Sequence, residues 1–367
     1  MGSGRARPRA RDRLRGRGCR RGARQGRHAV PARLHRRGLG RQEPRGEPRS
    51  RPQQRARRGG GRDRLGADRT PAVTGSRIVI VGDLINDIVA VTREPLRPDT
   101  DTTATIRPSS GGSAANTAVW LARAGAAVDF VAAVGAHDAH LHEEELAEAG
   151  VTPHLQVEVA APTGTIIIIV QGSERTMLTE RGANSLLTSA AVTDALLADA
   201  ALLHVSGYSI VDGFRVAGTR ALLDRAAAAG VPVSVNPGSI GFIADFGVEA
   251  FLEAIAGASL LFLSGDEARL LTGLDGAERQ ARALARDFPI VALTRGAEGV
   301  LLVVDGGEPV AIPARSVRAI DPTGAGDAFI GGFLASWTQA PDAVAAAEAG
   351  VFTAARAVMA IGGRPPI

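Results

Sequence analysis

From Arg77 onward the sequence alternates two textures, and that alternation constrains the fold more than any other feature. Short runs of β-branched and aliphatic residues recur at Arg77–Val81, Val128–Val134, Ala201–Val205, Val231–Val235, Leu260–Leu263, Ile290–Leu293 and Val300–Val304. They are too short for helices and too uniformly apolar for strands with one wet face. Between them lie Ala/Leu-rich stretches with helical spacing, Ala114–Ala124, Thr188–Ala198, Phe214–Ala229 and Ala277–Arg286. Strands buried on both faces and alternating with helices predict an α/β body, a mostly parallel central sheet between two helical layers. Two stretches, Ile88–Pro108 and Leu155–Glu180, break the rhythm with Thr/Val/Ile-rich runs and turn residues. They predict antiparallel strands of a small projecting sheet, a lid, at about 88–110 and 155–182.

Composition splits the chain. Residues 1–75 hold 24 of the 43 basic side chains and 5 of the 38 acidic ones, with much Gly and Pro and no hydrophobic period. Such a segment cannot bury enough apolar surface to offset its ordering entropy, so a disordered tail is expected. It has no apolar stretch of the secretory-signal kind. A basic arm can hold nucleic acid by counterion release, but this one lacks interleaved aromatics for base stacking. The rest of the chain is acidic, 19 Arg against 33 Asp and Glu. Nucleic acid is therefore not an expected partner, and the folded domain is assigned to residues 76–367. All 43 basic residues are Arg, which excludes a Walker P-loop, a pyridoxal Schiff base and a Lys general base. The single Cys, Cys19, excludes disulfide frameworks and Cys-ligated zinc, and suits a reducing, cytoplasmic compartment. No apolar run reaches the roughly 18 residues that a membrane span needs.

The sharpest local signal is Asp321-Pro322-Thr323-Gly324-Ala325-Gly326-Asp327, running into the apolar, helix-like Ala328–Leu334. The turn and the small residues put the backbone N–H groups of 324–326 at a helix N-terminus. Orphan donors and the positive end of the helix dipole bind anions there. A carboxylate beside a phosphate site makes sense if Asp327 takes a proton from a hydroxyl attacking that phosphate. General-base help of this kind typically contributes ~10²–10⁴ in rate. A second string, Gly111-Gly112-Ser113-Ala114-Ala115-Asn116 with Gly125 and Gly135 beyond it, opens a helix with close backbone access. Asn116, one turn in, can donate to and accept from a polyol, although alone it would pass as a local cap. A third, Gly82–Asp87, lies at the carboxyl end of the first strand, where open α/β sheets bind ligands. Asp87 can accept two sugar hydroxyls; by itself it would be a turn Asp.

Taken together, these segments resemble the PfkB (ribokinase-like) carbohydrate kinase family from about residue 77 to the C-terminus. The resemblance implies a three-layer αβα body with a β-sheet lid. It also implies transfer of the γ-phosphate of ATP, with Mg2+, to a hydroxymethyl group of a small sugar or nucleoside. By motif position it makes Asp327 the base and Gly324, Ala325 and Gly326 the anion hole. Asp87, Gly111, Gly112 and Asn116 become substrate positions, and Thr294, Gly296, Glu298, Gly299 and Thr323 nucleotide positions. Glu267 is tied indirectly to the metal, and Asp321 resembles a residue that in some members helps to hold a monovalent cation such as K+. Two departures stand out. Ser264 occupies the place of the family's usual Asn three residues before Glu267, and the family's Asp-Asp-x-x-Gly after Gly135 is degraded to Ala136-His137-Asp138-Ala139-His140. His137, His140 and His142 read as a solvent-facing polar loop rather than a metal site. Ribose, pseudouridine and a keto-deoxy sugar acid all stay open as substrates. Arg175 or Arg181 reaching the pocket would favour an acidic one, and an apolar lid face a nucleoside. A sugar-binding sensor of the same fold with weak catalysis is the rival reading, kept open by Ser264. The lid edge predicts a homodimer.

Overall fold

The computed structural model describes residues 77–365 with the exception of Ser173. The Arg-rich segment 1–75, and the disorder expected of it, lie outside the described residues. In chain order the elements are β1 (Arg77–Val81), β2 (Ile85–Thr92), β3 (Ala104–Gly111), α1 (Ser113–Arg123), β4 (Val128–Gly135), α2 (Ala139–Glu148), β5 (Val151–Glu158), β6 (Gly164–Gln171), β7 (Glu174–Glu180), α3 (Asp194–Ala198), β8 (Ala200–Ser206) and the single turn α4 (Gly207–Ser209). They continue with α5 (Arg215–Ala228), β9 (Val233–Asn236), α6 (Ile240–Phe246), α7 (Val248–Ile255), β10 (Leu260–Ser264), α8 (Gly265–Thr272), α9 (Ala277–Leu284), β11 (Ile290–Thr294), β12 (Val300–Val304), β13 (Val310–Ile312), α10 (Ala325–Gln339) and α11 (Ala343–Ala357).

Nine strands form the main sheet in the order β13-β12-β11-β10-β9-β8-β1-β4-β5. From β11 to β5 all neighbours run parallel, while β12 and β13 are antiparallel additions at one edge. Side chains alternate across a strand, so each uniformly apolar run feeds two cores. Ile78 and Ile80 join Phe130, Leu202, Phe262 and Leu302 on one face, under α1, α2, α10 and α11. Val79 and Val81 join Val131, Leu203, Leu261 and Leu301 on the other, under α3, α5, α7, α8 and α9. This double burial is why the runs carry no polar alternation. The order of addition reverses beside β1: β4 and β5 extend one way, β8 and its successors the other. Loops leaving the carboxyl ends of β1 and β8 therefore diverge and open a crevice.

The small sheet has the order β3-β2-β6-β7. It consists of two antiparallel hairpins, but they join through a parallel pairing of β2 with β6, not the wholly antiparallel arrangement expected. The second inserted stretch also begins later than expected. Residues 151–158 form β5, which pairs with β4 on the main sheet, and the small sheet resumes at Gly164. The stretch Thr188–Ala198 yields one 3₁₀ turn, Ser189–Ala191, and an α-helix only from Asp194. Its hydroxyl residues favour caps and turns over helix interior, and the Thr193 hydroxyl accepts from Leu196 N at 3.3 Å. The predicted polar histidine loop is helix α2, with His142 buried on its inner face while His137 and His140 stay exposed.

A chain with few aromatics concentrates three of them behind the crevice. Phe262 of β10 meets Phe333 of α10 edge to face with ring centroids 4.9 Å apart, and Phe329 lies 6.2 Å from Phe262. These contacts seat helix α10 on the sheet. Phe333→Ala is expected to destabilise the domain by about 3–5 kcal/mol, because the fully buried ring leaves a cavity against a stiff sheet. Urea unfolding followed by circular dichroism would show a midpoint loss of that size with an unchanged slope.

Candidate active site

The carboxylate of Asp83, just past β1, organises the crevice. Its Oδ2 accepts from Ser113 N at 2.8 Å, and its Oδ1 from Ala114 N at 3.3 Å and from Ser206 Oγ at 2.9 Å. It thus caps α1 from outside that helix and ties α1 to the ends of β1 and β8. Gly112 precedes the helix at φ 97°, and a Cβ there would lie 2.5 Å from the Asp83 carbonyl oxygen. No other residue type allows this approach.

Docked this way, α1 presents Ser113 and Asn116 to Asp327 in the first turn of α10. Ser113 Oγ donates to Asp327 Oδ1 at 2.7 Å and Asn116 Nδ2 donates to Oδ2 at 3.0 Å. Burial pushes the Asp327 carboxyl up to about 7, against the pull of those two donors and with a further push from Asp83 and Asp87. Helix α10 starts at Ala325 with Gly324 as its N-cap at φ 71°. Ala325 N already donates to Pro322 O at 3.2 Å. The amides of Gly326 and Asp327, also in the first turn, have no acceptor within the helix. Gly324, Ala325 and Gly326, expected as the anion hole, thus sit at the N-terminus of α10.

A cavity of about 300 Å³ opens from Asp327 and Gly326 across the carboxyl ends of β8 to β11. Its walls include Ser113, Tyr208, Asn236, Ser264, Glu267 and Thr294. Ser264 and Glu267 form a reciprocal capping box: Ser264 N donates to Glu267 Oε2 at 2.6 Å and Glu267 N to Ser264 Oγ at 3.3 Å. Burial raises the Glu267 carboxyl, partly offset by these bonds. Of the nucleotide positions expected, Thr294 lines the cavity. Gly296, Glu298 and Gly299 lie in the turn from β11 into β12, and Glu298 pairs with Arg295 at 3.0 Å. Thr323 faces the small sheet, its hydroxyl 2.7 Å from Arg175.

On the far side of Asp327 lie the expected substrate positions. Asp87 of β2 folds against Gly111, where a Cβ would meet its carboxylate, and burial raises Asp87 to about 6 against the pull of Arg364. Arg364 is one of the residues that spacing did not reveal. Its Nε donates to Asn116 Oδ1 and an Nη to Gly111 O, both at 3.3 Å. Asp321 is held on both carboxylate oxygens. Its Oδ1 accepts from Thr323 N at 3.0 Å, from Thr323 Oγ1 at 2.7 Å and from Arg175 of β7 at 2.7 Å, while Oδ2 accepts from Gly362 N at 3.1 Å. Burial alone would raise this carboxyl, but the four donors pull it down to about 2. The Arg175 guanidinium thus pairs with Asp321, the position expected to help hold a monovalent cation. Arg181 pairs with Asp212 at 2.5 Å and stacks on Tyr208, with 4.8 Å from its guanidinium carbon to the ring centroid. His142 is buried beside Asp138 at 3.5 Å, and burial lowers its proton affinity despite that carboxylate.

No helix among the described residues is long and apolar enough to cross a membrane. The pfkB family carbohydrate kinase model matches residues 76–367. Ribokinase of Haemophilus influenzae is 29% identical over 235 residues, 61% of this chain and 72% of that protein. ATP-dependent ribose-1-phosphate kinase of Halopiger xanaduensis is 31% identical over 271 residues, 71% of this chain and 86% of its own. The crystal structure of adenosine kinase from Sinorhizobium meliloti superposes with a TM-score of 0.71 at 24% identity, over 80% of this chain and 97% of that one, and shares its fold. The chain belongs to the pfkB family of carbohydrate kinases, phosphotransferases acting on hydroxyl groups, and is a ribokinase-like kinase of sugars or nucleosides.

Proposed function

We propose that the crevice transfers the γ-phosphate of ATP to the hydroxymethyl group of a neutral sugar or nucleoside, with Asp327 as general base. The observation that carries this reading is the placement of Asp327. Its carboxylate is held by Ser113 and Asn116 at the amide-bearing start of α10, between the 300 Å³ cavity and the Asp87 side of the crevice. ATP phosphates would lie against the amides of Gly326 and Asp327, with Thr294 and Ser264 on the opposite wall. Glu267 suits Mg2+, since one of its oxygens is held by Ser264 N and magnesium usually takes one or two carboxylates beside phosphate oxygens. Mg2+ would supply neutralisation of phosphate charge there. The acceptor hydroxyl would reach Asp327 from the side of Asp87, Gly111, Gly112 and Asn116. Because Asp87, Asp83 and Asp327 converge on that side and Arg175 and Arg181 are held by Asp321 and Asp212, an uncharged polyol fits better than a sugar acid. The open edges β3 and β7 and the exposed Ile106, Met177 and Leu178 support pairing of two copies through the small sheet, and the single Cys supports a cytoplasmic setting.

A coupled assay of ADP release over a panel of neutral pentoses, nucleosides and sugar acids tests the substrate class. Turnover confined to sugar acids overturns it, and ligand binding without turnover on any of them supports the sensor instead. Asp327→Asn should lower kcat by ~10²–10⁴ with binding retained. In the unmodified enzyme kcat/KM should climb about tenfold per pH unit up to about 7 and then level, as the base form takes over.

The same group has a stability signature. A carboxyl whose folded value is raised from 3.8 to about 7 contributes stability that is complete below the unfolded value and lost as pH rises through 7. Asp327→Asn should therefore melt above the unmodified protein at about pH 8, with the gap closing toward pH 4 in thermal scans. Arg175→Met removes the only described charged link from β7 to the 321–323 turn. It should raise the sugar KM by about two- to fivefold, the equivalent of about 0.5–1 kcal/mol for a part-exposed ion pair, with kcat little changed. Hydrogen exchange should quicken in β7 and at Thr323 but not in β1.

A further inference from the structure

Behind Asp327 a line of polar side chains runs into the sheet. Ser113 Oγ, which donates to Asp327 Oδ1 at 2.7 Å, accepts from Asn236 Nδ2 at 3.4 Å. Asn236 Oδ1 lies 3.1 Å from His204 Nε2, and His204 Nδ1 lies 2.9 Å from Ser234 Oγ. His204 is fully buried on β8, and Ser234 and Asn236 share the inner register of the adjacent strand β9. One assignment of hydrogens fits the whole line. An Asn carbonyl oxygen only accepts, so His204 Nε2 carries the proton. Burial holds His204 neutral, lowering it to about 4 despite its bond to Asn236, so Nδ1 is bare and accepts from the Ser234 hydroxyl. The Asn236 amide then donates to Ser113, and the Ser113 hydrogen is directed at Asp327.

We propose that Ser234, His204, Asn236 and Ser113 form a one-way hydrogen-bond relay that holds the Asp327 carboxylate as an acceptor with its free lone pairs turned to the crevice. This rests on the reading of Asp327 as the base. His204, Asn236 and Ser113 are then positioning residues. Each bond in a poorly solvated line polarises the next, so the donor at Ser113 is firmer than a lone serine. A donor aimed at the ionised form favours that form. It acts against Asp83 at the end of β1 and Asp87 of β2, whose charges oppose ionisation; Asn116 of α1 is the second donor, and the Tyr208 phenol after β8 and the Glu267 carboxyl of α8 are titratable groups on the same cavity wall. A chain of five side chains from four elements is more than packing needs: Val or Leu would fill the His204 position on a buried strand without leaving a polar ring to satisfy.

The test is the pH profile of kcat/KM in full-length variants. Ser113→Ala removes the last donor at the crevice wall without opening the core. It should move the acid limb up by about one unit, which is about a tenfold loss at neutral pH that is regained at alkaline pH, with the ATP KM unchanged. His204→Leu should reproduce the displacement, and His204→Gln, which keeps an N–H for Asn236, should largely restore the original limb. A purely structural role would lower stability without moving the limb. The proposal is overturned if folded Ser113→Ala keeps the unmodified profile, or if His204→Gln is displaced as far as His204→Leu. Should His204→Leu fail to fold, Ser113→Ala decides alone. Asp327→Asn separates the two levels. If it keeps full activity, the base reading falls and the relay with it; if it is inactive while Ser113→Ala leaves the limb in place, only the relay falls.

Discussion

One carboxylate sets the geometry on which the rest of the crevice depends. Asp83 satisfies the first amides of α1 and the hydroxyl of Ser206 together, so the end of β1, the end of β8 and the start of α1 move as one body. Helices rarely start with their N-terminal donors unmet, and here the acceptor comes from a strand rather than from the helix's own cap. That choice leaves Gly112 free of any side chain and brings the first turn of α1 against the first turn of α10. Two helix starts facing each other give a region of positive potential, and Asp327 is the negative group placed between them.

The buried acids show what this arrangement demands. Asp87 and Asp327 are both raised in proton affinity by loss of water, Glu267 likewise, and each is only partly compensated, Asp87 by the charge of Arg364 and the other two by hydrogen-bond donors. A domain selected for stability alone would neutralise them or expose them. The strain is tolerated because the surrounding body is strongly built, with two apolar cores on either face of a nine-stranded sheet and an aromatic cluster under α10. Function sits where the fold can carry it.

Local strings were legible in the sequence, and long-range partnerships were not. The glycine strings at 111–116 and 321–327 carry their meaning in adjacent residues, so reading them placed Asn116 and Asp327 on one site. The doubly buried runs predicted the layered sheet for a similar reason, since a strand covered on both faces has no polar alternation to confuse it. Arg175 with Asp321, Ser113 with Asn236 and Arg364 with Asn116 join residues 146, 123 and 248 positions apart, and no spacing rule reaches that far. The errors have physical causes as well. Residues 155–158, the end of β5, are not fully buried because β5 is an edge strand, which made them resemble the start of the inserted sheet. Ser264 stood out as a departure from the family's Asn; in the structure its hydroxyl and amide close the start of α8 on Glu267, a cap that Ser makes as well as Asn.

The close approach of Gly324 to Gly363 has a consequence for how the enzyme comes into being. A side chain at Gly324 would collide with the Gly363 backbone, while Trp120 Nε1 donates to Gly363 O at 2.9 Å and Gly362 N to Asp321. The segment that braces the turn before α10 follows every other described element in chain order. During synthesis, then, the sheet and most helices can form while the crevice still lacks its brace. The turn before α10 is therefore among the last parts of the described fold that can close as the polypeptide emerges from the ribosome.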